Sequence, residues 1–257
     1  MPSAGVGAGT REGGPPGAEP VQDSAGSLAV EIRDLEFEYR AREPVLDVPR
    51  FDVSTHERLF VYGPSGSGKT TLLGIIAGVL APRRGRATVL GRDLNGMDAA
   101  ARDRFRGTHV GYMFQMFNLL PYLDVETNIL LPVRLCRERR LRLNGVPPRE
   151  AAAEVAEALG IGELLRRQAS ELSVGQQQRV AAARALLASP ELVIADEPTS
   201  ALDAHLRHRF LELLFARCEA SSSTLVFVSH DRQLESLFDR ALDLGELNRA
   251  SSWEASR

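Results

Sequence analysis

The sequence predicts a mixed α/β domain on a mostly parallel sheet, with a mostly helical insertion between about residues 116 and 174. Two short runs, 192–195 and 225–228, are apolar at every position, as central strands buried on both faces must be. A third run, 59–62, ends in a glycine-rich loop followed by a helical stretch. Strands followed by helices favour parallel pairing and place ligands at the carboxyl ends of the strands.

Residues 1–27 are rich in Gly, Ala and Pro, hold no aromatic residue and are expected to be a disordered tail. They lack the basic start and apolar run of a secretory signal. Residues 29–39 alternate as a strand does, through Val30, Ile32, Leu35, Phe37 and Tyr39, with one slip near Asp34. Further strands are expected at 45–53, 59–62, 86–90 (turning at Gly91) and 110–114. Residues 127–165 favour helix, with a break at 144–148, and 175–188 form an alanine-rich helix. The folded domain is expected to span 28–247, followed by a tail at 248–257. The most apolar segment, 72–81, is about half the ~18–20 residues needed to span a bilayer.

The 257 residues are 44% hydrophobic, enough for a core without disulfides or a structural metal. A net charge of -3 excludes a global basic field for nucleic acid. Cys136 and Cys218 have no ligand-like spacing and fit a reducing compartment. Of the 31 basic residues, Lys69 alone is lysine. Compositional bias explains the arginines but not the survivor. A site needing a compact point charge would resist replacement by a flat fork.

Lys69 lies in Gly63, Pro64, Ser65, Gly66, Ser67, Gly68, Lys69, Thr70, Thr71, a match to G-x-x-x-x-G-K-[ST] between a strand and a helix. The glycines let successive N–H groups point at phosphate oxygens, and the helix adds its positive dipole end. Lys69 would reach the β- and γ-phosphates, and the Thr70 hydroxyl would hold Mg2+. By itself the motif implies a nucleoside triphosphate binder.

Residues 192–198 read L-V-I-A-D-E-P. Two carboxylates ending an apolar strand are costly unless they have a task. Asp196 would fix the metal's water shell, and Glu197 would polarise an attacking water. Ser173 is a good N-cap and Gly175 permits close approach, so a second anion-binding helix end follows Leu172. His230 ends the 225–228 run as a candidate γ-phosphate sensor, and Gln115 ends the 110–114 strand where a metal or water ligand would help. Alone, Gln115 would carry no meaning, and the Ser173 helix would read as an ordinary capped amphipathic helix.

The ordered set resembles the ATP-binding subunit of ABC transporters. It comprises Tyr39 as the adenine-stacking aromatic, the Walker A loop 63–71 and the Q-loop Gln115. It continues with the signature L-S-V-G-Q at 172–176, the Walker B residues Asp196 and Glu197, the D-loop at 200–203 ending in Asp203, and the H-loop His230. Residues 114–132 are similar to the branch serving lipoprotein release, macrolide export and cell-division complexes. The resemblance implies a phosphate-loop core with a mostly parallel sheet, an antiparallel β subdomain near the N-terminus, and the signature carried by the helical insertion.

It also implies an ATPase using ATP and Mg2+, with Glu197 and His230 catalytic and Thr70, Gln115 and Asp196 on the metal. Two copies would close head to tail over two ATPs, each lying between one copy's loop and the other's Ser173, Gly175 and Gln176. Asp203 would link the two sites. The region near Gln115 to Pro132 and the helices that follow would receive a coupling helix of a separate membrane permease. That places the chain in the cytoplasm, peripheral on the inner face of the cell membrane, with no nucleic-acid partner.

Val174 departs from the usual first signature glycine and puts the ATPase rate in question. The long N-terminal tail is not a family feature, and no appended regulatory domain is expected. The run Arg134, Arg137, Arg139, Arg140, Arg142 is expected to be a solvated helix face. Two other classes stay open. A soluble ABC protein of DNA repair or translation is disfavoured, since neither heptads, paired cysteines nor a second nucleotide domain is present. A non-hydrolytic, ATP-switched regulator of a non-transport partner is disfavoured by Glu197 with His230 but kept open by Val174.

Overall fold

The computed structural model describes residues 27–40, 43–200 and 202–250. The expected N-terminal tail lies almost wholly outside the described residues. The chain runs β1 (Leu28–Arg40), β2 (Glu43–Ser54), β3 (Arg58–Tyr62), α1 (Lys69–Ile76), β4 (Arg84–Val89), β5 (Arg92–Asp93), α2 (Ala99–His109) and β6 (Val110–Met113). It continues α3 (Val125–Leu135), α4 (Arg137–Leu141), α5 (Pro148–Ala158), α6 (Val174–Leu186), β7 (Leu192–Asp196), α7 (Ala204–Ala220), β8 (Thr224–Val228), β9 (Arg240–Asp243) and α8 (Leu244–Leu247).

The alternation in β1 builds a four-stranded antiparallel sheet in the order β2-β1-β4-β5. Val30 and Ile32 pair with Val53 and Phe51 on one side and with Val89 and Ala87 on the other, and all six are buried. The slip near Asp34 is a bulge: pairing with β4 shifts between Arg33 and Glu36, and Asp34 has a φ of 48°. Gly85 crosses it with a φ of 79°, where a Cβ would sit 2.1 Å from the Asp34 carbonyl oxygen. A side chain there would force the strands apart.

The second sheet is parallel throughout, in the order β6-β7-β8-β3-β9. Every residue of β7 and β8 is buried. Their alternation divides the core. Leu192, Ile194, Val226 and Val228 face α1 and the antiparallel sheet through Leu72, Ile76 and Phe51. Val193, Ala195, Leu225 and Phe227 face the helices through Ile129, Val155, Ala182 and Phe210. The parallel sheet is thus the middle layer, stabilised by roughly 1.5–3 kcal/mol for each large apolar side chain it buries.

The insertion is more broken than its composition suggests. Cys136 takes an extended conformation that separates α3 from α4. Gly160, at a φ of 66°, follows α5, which stops at Ala158 instead of running on to 165. Single 3-10 turns at Gly162–Leu164 and Ala169–Glu171 complete the path to α6. Three further helices, α2, α7 and the single turn α8, were not expected. α2 buries only Phe105 and so shows no apolar stripe. α7 does show one, with Phe210, Leu214 and Cys218 buried four residues apart.

The arginine run is not a uniform solvated face, which corrects the sequence expectation. Arg134, Arg137 and Arg140 are exposed, but Arg139 is 2% exposed. It donates to the carbonyls of Leu187 (3.0 Å), Val110 (2.7 Å) and Ala185 (2.6 Å). The fork caps the last turn of α6 and ties it to the start of β6, a geometry a single ammonium cannot supply. Arg142 donates to the carbonyls of Ala188 and Ser189 and pairs with Glu191.

Candidate active site

The strands β3, β6, β7 and β8 deliver their carboxyl ends to one cavity of about 550 Å³. It is lined by Val45, Gly63, Ser65, Gly66, Gly68, Lys69, Thr70, Thr71, Gln115, Glu197 and His230. Gly68 caps α1 with a φ of 93°, and a Cβ there would lie 2.5 Å from Leu46 Cδ2, so the loop needs glycine at this point. No side chain caps α1, which leaves the backbone N–H groups of its first turn available to an anion. Lys69 Nζ donates to the carbonyls of Gly63 (2.8 Å) and Pro64 (2.9 Å), holding the ammonium over the loop. Ser67 is buried, and its carbonyl accepts from Asn248 Nδ2 (3.0 Å).

Asp196, 8% exposed, ends β7 beside Thr70, whose hydroxyl donates to it. Burial raises its pKa, with the neighbouring Glu197 charge adding to it, while Thr70 and Lys69 oppose the rise. Glu197 follows with a φ of 45°, a left-handed conformation that costs a non-glycine residue about 1–2 kcal/mol. Its N–H still donates to the Val228 carbonyl (3.0 Å), which holds the strained residue in place. His230 Nδ1 lies 3.2 Å from Glu197 Oε2, so β7 and β8 bring carboxylate and imidazole together at the cavity wall.

Gln115 is exposed at the end of β6 and lines the same cavity. The loop after it is strapped to α6 by Arg184, which donates to the carbonyls of Phe117 (2.5 Å) and Asn118 (2.7 Å). Tyr39 is 62% exposed and packs edge-on against Phe37. Its hydroxyl lies 3.2 Å from the Thr71 hydroxyl, which puts an open ring face next to the phosphate loop.

Ser173, Gly175, Gln176 and Asp203 lie outside the cavity lining, as do Tyr39, Pro64, Ser67 and Asp196 at its edge. Ser173 caps α6 in a reciprocal box: its Oγ accepts from Gln176 N–H (3.4 Å), and Gln176 Oε1 accepts from Ser173 N–H (2.9 Å). Gly175 faces Leu202, where a Cβ would meet Cδ2 at an ordinary 3.6 Å. Val174 is 47% exposed at the first helical position. Asp203 caps α7 by accepting from Leu206 N–H (2.9 Å). Ala201, within the D-loop, lies outside the described residues.

The donors of Thr70, Asp196, Gln115 and Glu197 are oxygens, the ligands of a hard divalent cation. Among the described residues no cluster of three or more His, Cys, Asp or Glu offers a closed metal cage. One carboxylate plus a hydroxyl suits Mg2+, which keeps waters and takes substrate phosphates. The sequence reading assigns no role to Asn248 or Arg184 and places Arg139 on a solvated face. Each acts by donating to distant backbone carbonyls, a contact that leaves no local pattern.

Comparison with known proteins agrees with this geometry. A family profile described as "ABC transporter" matches residues 46–200. The lipoprotein-releasing system ATP-binding protein LolD of Hydrogenovibrio crunogenus is 33% identical over 225 residues, 85% of this chain and 94% of that protein. The uncharacterized ABC transporter ATP-binding protein YbbA of Escherichia coli is 40% identical over 192 residues, 75% of this chain and 82% of that protein. The dimeric structure of MJ0796, a bacterial ABC transporter cassette, superposes with a TM-score of 0.73 at 29% identity, covering 84% of this chain and 95% of that one. A post-hydrolysis dimer of MJ0796 bound to ADP and Pi gives a TM-score of 0.75 at 30% identity, covering 86% and 95%. Phosphate loop, strand-end carboxylates, family profile and relatives agree, and this chain belongs to the ABC transporter family.

Proposed function

We propose that the chain is the ATPase subunit of an ABC exporter or mechanotransmitter and works as half of a head-to-tail dimer. The observation that carries this is a separation. The chain has two capped or open helix starts suited to phosphate, at Lys69 and at Val174, and the cavity is lined by the first and not the second. A second copy supplies the missing wall with its Ser173, Gly175 and Gln176.

The loop 63–71 cradles the triphosphate, and Lys69 moves its ammonium onto the β- and γ-oxygens. Thr70, Asp196 and Gln115 would hold Mg2+, which when bound neutralises phosphate charge. Glu197 accepts the proton of the attacking water, a task worth about 10²–10⁴ in rate. His230 holds that carboxylate in place and senses the γ-phosphate. Tyr39 stacks on the adenine, and Asp203 reports closure to the opposite site.

A groove of about 570 Å³ between α2, β6, α3 and α6 is lined by Tyr112, Phe114, Leu131, Pro132, Leu135 and Cys136 among others. Leu135 and Met116 are 83% and 81% exposed, more than an isolated surface needs. This groove takes a short helix of a membrane permease. No described helix is long and apolar enough to cross a membrane. A permease seated in this groove would hold the chain at the inner face, and the similarity to lipoprotein-release subunits supports export.

The test is the ATPase rate of the wild type against Glu197→Gln, with nucleotide binding measured in both. The expected result is a 10²–10⁴-fold slower turnover with binding retained. Equal rates would remove Glu197 from the mechanism. Extraction of the same variant with ATP and Mg2+ should bring down a stoichiometric polytopic membrane protein, and a clean soluble homodimer would favour the regulatory class.

A further inference from the structure

The segment after β9 returns beneath the phosphate loop. Asn248 is 2% exposed, and its backbone N–H donates to the Leu244 carbonyl (2.8 Å). Its Nδ2 donates to the carbonyls of Val45 (2.9 Å) and Ser67 (3.0 Å). Its Oδ1 accepts from the N–H groups of Asp47 (2.8 Å) and Ala250 (3.2 Å). An asparagine amide has two donor hydrogens and two acceptor lone pairs, and all four are used. Nearby, a Cβ on Gly245 would lie 3.0 Å from Pro64 Cδ, so the same segment also abuts the first turn of the loop.

The Ser67 carbonyl and the Gly68 N–H belong to one planar trans peptide and point in opposite directions. Fixing the carbonyl on Asn248 therefore fixes the amide that opens α1. We propose that Asn248 is a positioning residue for nucleotide binding: it locks the Ser67–Gly68 peptide so that the Gly68 N–H faces the phosphates. This rests on the loop 63–71 being the phosphate cradle. Val45, which lines the cavity, is held by the same amide group, so one side chain registers two walls of the site.

Asn248→Asp keeps the shape and both acceptor contacts but sets an oxygen against the Val45 and Ser67 carbonyls. ATP affinity, read with a fluorescent ATP analogue, should fall at least about tenfold. KM for ATP should rise in step while kcat at saturating ATP stays within about twofold. Leu94→Ala is the control: Leu94 is buried in the same core and lines no part of the cavity. Compared at temperatures equally far below each variant's melting point, the control should keep wild-type affinity. Should Asn248→Asp be insoluble, Asn248→Ala decides by the same comparison. Unchanged affinity in the Asn248 variants, or equal loss in Leu94→Ala, overturns the proposal. A wild-type chain that bound no ATP would instead refute the cradle itself.

Discussion

Replacing Arg139 with methionine tests whether a buried arginine organises the helical insertion. Met fills the space of the side-chain stem but removes three donors, leaving the carbonyls of Leu187, Val110 and Ala185 without them. Each buried acceptor left unpaired costs roughly 1–3 kcal/mol, so the gross loss is about 3–9 kcal/mol. Against this stands the cost of burying the charge. Burial, with a smaller push from Arg142, lowers the guanidinium pKa well below its usual value, to about 10. At about 1.4 kcal/mol per pH unit, that is about 3 kcal/mol the variant escapes. The balance is a net destabilisation centred on about 3 kcal/mol, within about 0–6. In a domain of this size each kcal/mol moves Tm by about 2–4 °C, so Tm should fall by about 6–12 °C. Thermal melting of Arg139→Met beside the exposed Arg137→Met reads it directly. The Arg137 variant should change stability by no more than about 0.5 kcal/mol. Equal melting of the two variants would refute the claim that Arg139 is a structural strut.

Three other outcomes follow from named contacts. Lys69→Ala should weaken ATP binding 10²-fold or more by equilibrium titration, because about 3 kcal/mol of phosphate contact suffices; an unchanged Kd would refute the loop assignment. Glu191 is raised by burial but lowered more by hydrogen bonds from His109 and Arg142, to about 2. A carboxyl held that low stabilises the fold above its unfolded value near 4.5 and loses this as pH falls toward 2. Glu191→Gln should therefore melt below wild type at pH 6, with the gap closing by pH 2 in a pH series of melts. Leu135→Asp should leave ATP affinity unchanged and reduce co-purification of the permease severalfold, since the groove is apolar where Leu135 stands.

The legible part of the molecule is the part built from contiguous residues. The phosphate loop, the strand-end carboxylates and His230 follow from motifs a few residues long, and the fold brings loop residues, Glu197 and His230 to one cavity with Asp196 buried beside Thr70. Even the bulge at Asp34 was visible as a slip in alternation. α7 carries a legible signal too, in the Asp203 cap and the four-residue spacing of Phe210, Leu214 and Cys218. α2 does not, because a helix that buries one residue carries no stripe. Arg139, Arg184 and Asn248 were hidden for another reason. Arginine normally marks solvent, and nothing local says that a carbonyl 46 residues away will accept from it. The Asn248 contact to Ser67 spans 181 residues.

The measurement that bears most directly on this account is the mass in solution of Glu197→Gln by light scattering, with and without ATP and Mg2+. ATP should double the mass, and adding Ser173→Arg to the same chain should return it to that of the monomer while ATP binding persists. A chain that binds ATP yet keeps one mass throughout, or that dimerises equally with Ser173→Arg, would contradict a site completed by the second copy.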